Sequence, residues 1–499
     1  MSISTENLRL ILGLKLKNLR QERGLSLKDL AERAGLSISY LSEIEKGKKY
    51  PKPDKLIGLS RVLEVPFDEL VSVAADDQLH TLTETLRSPF FTEFPFELFG
   101  LETHDLVSLF SGDPARAGAL FRTFLEIGQM YDVRVEHFLF AALRSYQLLH
   151  DNYFSDIEDV ADAFRRESGA AQLDSSPEAV LRRVLERAYG YEIDETTLGD
   201  SEALQGFRSV YAAGAAPRLY LNPRLLPGQR AFVFAREIGY RVLGLEERAL
   251  TSSWLKVESF EQVLNNFKAS YFAGAVLIDR ERLLTRLSEL FASATWDESA
   301  FLSLLTGFNT TPETLLYRIG QLLPHMFGFQ EFFFLRINAD PDQGTLHLGK
   351  VFNRSHLALP QGFWLDEHYC RRWSALRLLQ RMDRSPDVPG VRAYAQRSRF
   401  TVEGESFFEF TVARRLSLPG HARTSVTLGF RLDDAFKSRV RFWNDPGVPE
   451  ERVNVTCERC PLPQAECAER VAKPRLLDAI RDRETKARAV ENLLAGRKG

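Results

Sequence analysis

Residues 19–63 read LRQERGLSLKDLAERAGLSISYLSEIEKGKKYPKPDKLIGLSRVL, and this stretch decides the fold of the N-terminal region. Ahead of it, Leu8, Leu10, Ile11, Leu14, Leu16 and Leu19 recur at helical spacing, and Gly24 ends that helix. Ser26 then caps a second helix over 27–33, closed by Gly35, and Ser37 caps a third over 38–45, which stops at Gly47. Pro53 opens a fourth over 54–63 and Pro66 a fifth over 67–71. Short helices joined by tight glycine turns are the helix-turn-helix arrangement. Lys46, Lys48, Lys49, Lys52 and Lys55 add a local basic patch.

The same residues closely resemble the Xre/Cro-type DNA-binding domains, whose third helix enters the major groove. Carried over by position, the resemblance implies that Ser37, Ser39, Tyr40 and Glu43 face base edges. It implies that Arg20, Ser42, Lys46 and Lys48 lie near phosphates. Lys28 stands where the family often has glutamine, and lysine holds a phosphate but does not pair with both adenine positions that an amide reads. The bland alternative for this region is a helical module that only dimerises.

The whole chain is less basic than this patch. Its 499 residues carry a formal net charge of −3, so nucleic-acid contact must come from a local surface. No apolar run is long enough to span a bilayer, and the amphipathic N-terminus does not read as a signal peptide, which predicts a cytoplasmic protein with no membrane partner. The expected fold class is multidomain and mainly α, with a five-helix Xre/Cro-type helix-turn-helix at the front and an α/β sensory domain at the back. The expected boundaries are 1–75 for the DNA-binding domain, 76–170 for a helical linker or dimerisation region, 171–292 for a degenerate peptidase domain, 293–472 for a GAF-like sensory domain and 473–499 for a charged helix. In the linker, Phe121, Phe124, Leu125, Phe138, Phe140 and Leu143 read as core stripes.

Residues 219–245, LYLNPRLLPGQRAFVFAREIGYRVLGL, give a strand over 218–221 and a helix over 229–243. Residues 260–284, FEQVLNNFKASYFAGAVLIDRERLL, give another helix. Together they resemble the ImmA/IrrE-type peptidase domain, whose His-Glu-x-x-His helix binds zinc with a carboxylate from the next helix. Here Arg236 and Tyr240 stand at the histidine positions, Glu237 is kept between them, and Asn266 falls at the third-ligand position. Zinc needs two imidazoles at i and i+4, and a guanidinium offers no lone pair. The expectation is no catalytic residue and no hydrolysis. Arg236, Glu237 and Tyr240 are left either as a packing and ion-pair network or as an anion-binding cleft.

Strands are predicted over 329–338, 345–351, 406–418 and 425–432, and a helix over 315–327. Beyond them, Cys457, Cys460 and Cys467 lie in one short loop, and Cys370 is the remaining cysteine. Soft ligands at this spacing suit a [4Fe–4S] cluster, with zinc as the alternative and unbound thiols as the bland reading.

In this order the three regions resemble the short-chain fatty acyl transcriptional regulators along nearly the whole chain. The resemblance implies control of acyl-CoA metabolism genes, an acyl-CoA-type effector, an iron–sulfur cluster and a homodimer on double-stranded operator DNA. Two other functions stay open at this point: a stress or phage-defence regulator sensing a protein or nucleotide, and a metallopeptidase that cleaves a repressor.

Overall fold

The computed structural model describes residues 5–72, 96–100, 123, 135–214, 216–251, 257, 259–340, 345–359, 367–384, 390–416, 418 and 423–495. The chain divides into two compact units, residues 1–146 with 256–263 and residues 147–255 with 264–499.

The first unit opens with α1 (Thr5–Glu22), α2 (Leu27–Arg33), α3 (Ile38–Glu45), α4 (Pro53–Val62) and α5 (Phe67–Val71). These five agree with the sequence reading to within one residue wherever a boundary was given, because their ends are set by local capping. Ser26 and Asp29 form a reciprocal capping box, and Ser37 Oγ accepts from the Tyr40 N–H at 3.1 Å. Leu12, Leu16, Leu30, Leu41, Ile44, Leu56, Leu59 and Leu63 fill the core between them. At Gly13 a Cβ would stand 2.6 Å from the Ile44 carbonyl oxygen, so α1 crosses α3 at a distance that only glycine permits. A short 3-10 turn follows at Phe96–Phe99, and α6 spans Val135–Leu149.

On α6 the buried apolar positions are Leu139, Ala142 and Tyr146, whereas Phe138, Phe140 and Leu143 are only half-buried. The expected stripe is therefore displaced by one position around the helix. Phe121, Phe124 and Leu125 lie outside the described residues.

The second unit continues with α7 (Ser155–Ser168), α8 (Ala170–Ser175), α9 (Pro177–Ala188), β1 (Glu192–Asp194), α10 (Thr197–Asp200), β2 (Ser209–Ala212), β3 (Arg218–Leu221), α11 (Pro227–Val242) and α12 (Phe260–Leu277). The three strands form a small sheet in the order β1-β3-β2, parallel then antiparallel. Gly239 on α11 sits against Ala269 on α12, where a Cβ would be 3.1 Å from the Ala269 carbonyl oxygen. That close crossing brings the faces of Tyr240 and Asn266 together.

Next come α13 (Arg280–Phe291), α14 (Glu298–Gly307) and α15 (Pro312–Phe327). Arg318 of α15 is 1 % exposed and holds both Glu158 oxygens of α7, at 2.5 and 2.8 Å, while Tyr271 of α12 donates to the same carboxylate. A buried pair satisfied this fully ties three helices to one relative position.

The last layer is a six-stranded sheet of β4 (Phe332–Asp340), β5 (Thr345–Asn353), β6 (Arg392–Phe400), β7 (Ser406–Arg415), β8 (Arg423–Arg431) and β9 (Glu450–Val453), in the order β5-β4-β8-β7-β6-β9. Helix α16 (Ser374–Arg384) covers one face over Phe333, Leu335, Phe400 and Phe407. The other face carries Phe408, Phe410 and Phe430, packed with Phe291, Phe329, Phe442 and Phe436, the last from α17 (Asp434–Arg439). The strand expected over 406–418 ends at Arg415, and the one expected from 329 starts at Phe332. Strands β6 and β9 had no expectation, since RAYAQRSRF and EERV carry too many charges to read as strands alone. The charged terminal helix is α18 (Arg475–Ala495). No described helix is long and apolar enough to cross a membrane.

Candidate functional site

The helix-turn-helix presents α3 with Ser37, Ile38 and Ser39 exposed at its N-terminal end and Tyr40, Ser42 and Glu43 half-buried along it. Lys28, Lys46 and Lys48 are exposed beside it. Two expected roles are modified by what the side chains touch. The Arg20 guanidinium is held bidentately by Glu45, at 2.7 and 2.9 Å, and donates a third bond to the Leu25 carbonyl. It therefore locks α1 to the end of α3. Glu43 pairs with Lys49 at 2.8 Å, and that ammonium lies 5.8 Å from the Tyr40 ring centroid, so part of the base-facing set is bound to itself.

Ile38, 49 % exposed, was missed by the sequence reading. Its signal was an aliphatic residue directly after the Ser37 cap, where the helix has no core to face. Such a side chain can meet a thymine methyl.

In the second unit, α11 and α12 assemble the peptidase-like cluster. Glu237 is fully buried, and both its oxygens accept from Arg248 Nη2, at 2.8 and 2.7 Å, while the Tyr191 hydroxyl lies 3.4 Å away. Arg248 is stacked between Tyr211 and Tyr240, 3.7 and 4.1 Å from their centroids. The Tyr240 hydroxyl donates to Asn266 Oδ1 at 3.3 Å, and burial raises its pKa. The four expected residues are thus neighbours, but Arg248, which no motif flagged, supplies the counter-charge. Arg236 turns away: it donates to Ser209 Oγ at 3.3 Å, is 3.8 Å from Glu237, and its buried Nε has no hydrogen-bond partner.

Arg236 turns toward a second cluster. Glu313, at the start of α15, pairs with Arg336 of β4 at 3.0 Å and lies 3.7 Å from Lys350 of β5. Burial alone would raise the Glu313 carboxyl, but Arg336, Lys350, Arg208 and Arg414 together bring it down to about 2. Burial lowers Arg208, and Arg336 and Arg236 add to that effect. Arg414 is brought down to about 10 by burial and then by Arg208 and Arg336. Four cations thus act on one half-buried carboxylate, and Arg236 acts on one of them, Arg208. A β-bulge at Gly349 brings Arg336 and Lys350 side by side across the β4–β5 ladder.

The four cysteines are all buried and none is in a disulfide. Cys370 and Cys457 lie on adjacent extended segments joined by the Cys370 N–H to Val455 and the Cys457 N–H to His368. Cys460 and Cys467 share one apolar cluster with Leu462. Burial, with Cys460 and Cys457 adding to it, pushes the Cys370 thiol up to about 11, and Cys467 is raised by burial and by Cys460. The donor chemistry is that of a thiolate site. Even so, among the described residues no three His, Cys, Asp or Glu side chains are placed so that they could hold one metal ion. His368 is committed to Glu458, with Nδ1 and Oε1 2.8 Å apart.

Comparison with known proteins divides the chain in the same way. Residues 16–70 match the helix-turn-helix family, and residues 196–320 match the IrrE N-terminal-like domain of the M78 peptidases. The protein thus has a DNA-binding helix-turn-helix and a peptidase-like domain in one chain. The second match extends past the boundary expected at 292 and takes in Glu313. Among solved structures, a Mycobacterium tuberculosis transcriptional regulator is similar over 67% of this chain and 93% of its own, at 19% identity and a TM-score of 0.45. No match was found among curated proteins.

Proposed function

We propose that the protein is a transcriptional regulator whose operator affinity is set by a small acyl-type metabolite carried on a polyanionic group, as in an acyl-CoA. The observation that carries this reading is the cluster in which Arg208, Arg336, Lys350 and Arg414 act on the carboxylate of Glu313, with Arg236 acting on Arg208. Cations crowded together repel one another, and groups perturbed in this way cluster at functional sites. Phosphates would be held by the arginines, and an effector that binds the DNA-competent and DNA-incompetent states differently is all a switch needs.

The DNA side is read by a homodimer through α3, with half-sites about one helical turn apart, roughly 34 Å. The thiols Cys370, Cys457, Cys460 and Cys467 are the second input in this reading, as the ligands that would hold a [4Fe–4S] cluster or zinc. Peptide hydrolysis is not part of the function: Arg236 and Tyr240 cannot replace imidazoles, and Glu237 is already neutralised by Arg248.

The test is a thermal-shift and calorimetric titration of the full chain with short-chain acyl-CoAs, free CoA and the free acids, followed by operator binding with and without the ligand. Stabilisation by acyl-CoA that is lost in Arg336→Ala supports the reading. No stabilisation by any acyl-CoA overturns it.

A further inference from the structure

A cleft lies at the end of the six-stranded sheet away from Arg414. Arg414↔Thr424 lies at one end of the β7–β8 ladder and Phe407↔Arg431 at the other. At that other end, Arg397 and Arg399 of β6, Glu405 of the β6–β7 turn, Arg431 of β8, Lys437 of α17 and Trp443 enclose about 390 Å³. That volume falls in the range of small-ligand sites, about 300–1,000 Å³.

The chemistry of the walls is specific. Arg431 is neutralised by Glu331 and by Glu405, the latter at 3.2 Å. Among the described residues Arg399 and Lys437 have no carboxylate partner; the Lys437 ammonium instead sits 5.3 Å from the centroid of the Trp443 ring. Arg397 donates to the Val448 carbonyl at 2.9 Å and keeps its buried Nε without a partner. Opposite these donors, Glu405 Oε2 is buried with nothing to accept from. The cleft therefore offers three things together: cations for phosphates, a flat indole wall for a ring, and an orphan carboxylate oxygen for a hydroxyl. Glu450 stands exposed at its rim.

We infer that this cleft binds a nucleoside polyphosphate, with its phosphates on Arg399, Lys437 and Arg397, its base against Trp443 and a sugar hydroxyl donating to Glu405. A simple polyanion would use only the first of these features, and a neutral nucleoside only the other two. Charge-assisted bonds and ring contact add in one ligand.

The experiment is calorimetry of the full chain with ATP, pyrophosphate and adenosine. ATP should bind at least tenfold more tightly than either fragment. Arg399→Ala and Lys437→Ala should each weaken ATP at least tenfold without shifting the melting temperature, since both side chains lie at the surface of the cleft. Arg336→Ala, at the other end of the sheet, should leave ATP binding unchanged, so this inference and the effector proposal can fail separately. No ATP binding at millimolar concentration, pyrophosphate binding as tightly as ATP, or full affinity in both Arg399→Ala and Lys437→Ala would overturn it.

Discussion

Glu237 and Glu313 are both carboxylates set among arginines, and their surroundings are opposite. Glu237 is fully buried and matched by one guanidinium that is itself clamped between two tyrosine rings, so its charge and hydrogen bonds are balanced locally. Glu313 is overmatched: Arg336, Lys350, Arg208 and Arg414 all act on it, and the cations lower each other. Balance makes the first site a structural clasp, and imbalance makes the second a place where an added anion would relieve repulsion. Arg236 links the two, lying 3.8 Å from Glu237 and acting on Arg208 of the second cluster.

The largest expected effect breaks the balanced site. Glu237→Ala or Arg248→Ala leaves a buried charge without its partner and should cost about 3–5 kcal/mol, seen as a lower urea midpoint for the second unit. A small effect would mean that the pair is not held as described. Arg336→Ala should do the reverse in the cleft: a tenfold or greater loss of effector affinity, with a melting temperature unchanged or slightly raised because one crowded cation is gone. If it destabilised the fold as strongly as Arg248→Ala, the contrast between the two sites would collapse.

A similar contrast exists in the DNA-binding domain. Arg20→Ala should reduce stability by about 1.5–3 kcal/mol, as for other charge-assisted bonds, and leave the salt dependence of DNA binding unaltered. Lys46→Ala should reduce the slope of log affinity against log salt by about 1 with little change in stability. Ile38→Ala should relax operator discrimination at one base pair and cost little nonspecific affinity, measured against operators altered at one base pair at a time.

A pH dependence separates a further buried carboxylate from Glu237 and Glu313. Burial raises Glu409, on the α16 face of β7, from 4.5 to about 7, with Ser374 and Ser398 pulling against it. A group raised in the folded state contributes stability fully present below the unfolded value, so this contribution is lost as pH rises from 4.5 through about 7. Glu409→Gln should flatten the stability profile across that window, and a profile identical to the parent would remove Glu409 as its source.

The sequence by itself determined the helix-turn-helix almost residue by residue. Its helix ends are written in neighbours: Ser26 with Asp29, Ser37 with the Tyr40 N–H, and Gly24, Gly35 and Gly47 at positive φ. It also located the peptidase-like helix and the cysteine loop, because i, i+4 spacing and Cys-x-x-Cys are local patterns. It did not show that Arg20 is held by a carboxylate from another helix. Only the tertiary structure decided which carboxylate is satisfied and which is surrounded. Arg208, Glu313, Arg336, Lys350 and Arg414 come from a small sheet's approach, a helix start and three strands, and no spacing links them. Electrostatics acts through distance in space, and distances between such segments exist only once helices α11–α15 and the six-stranded sheet have packed.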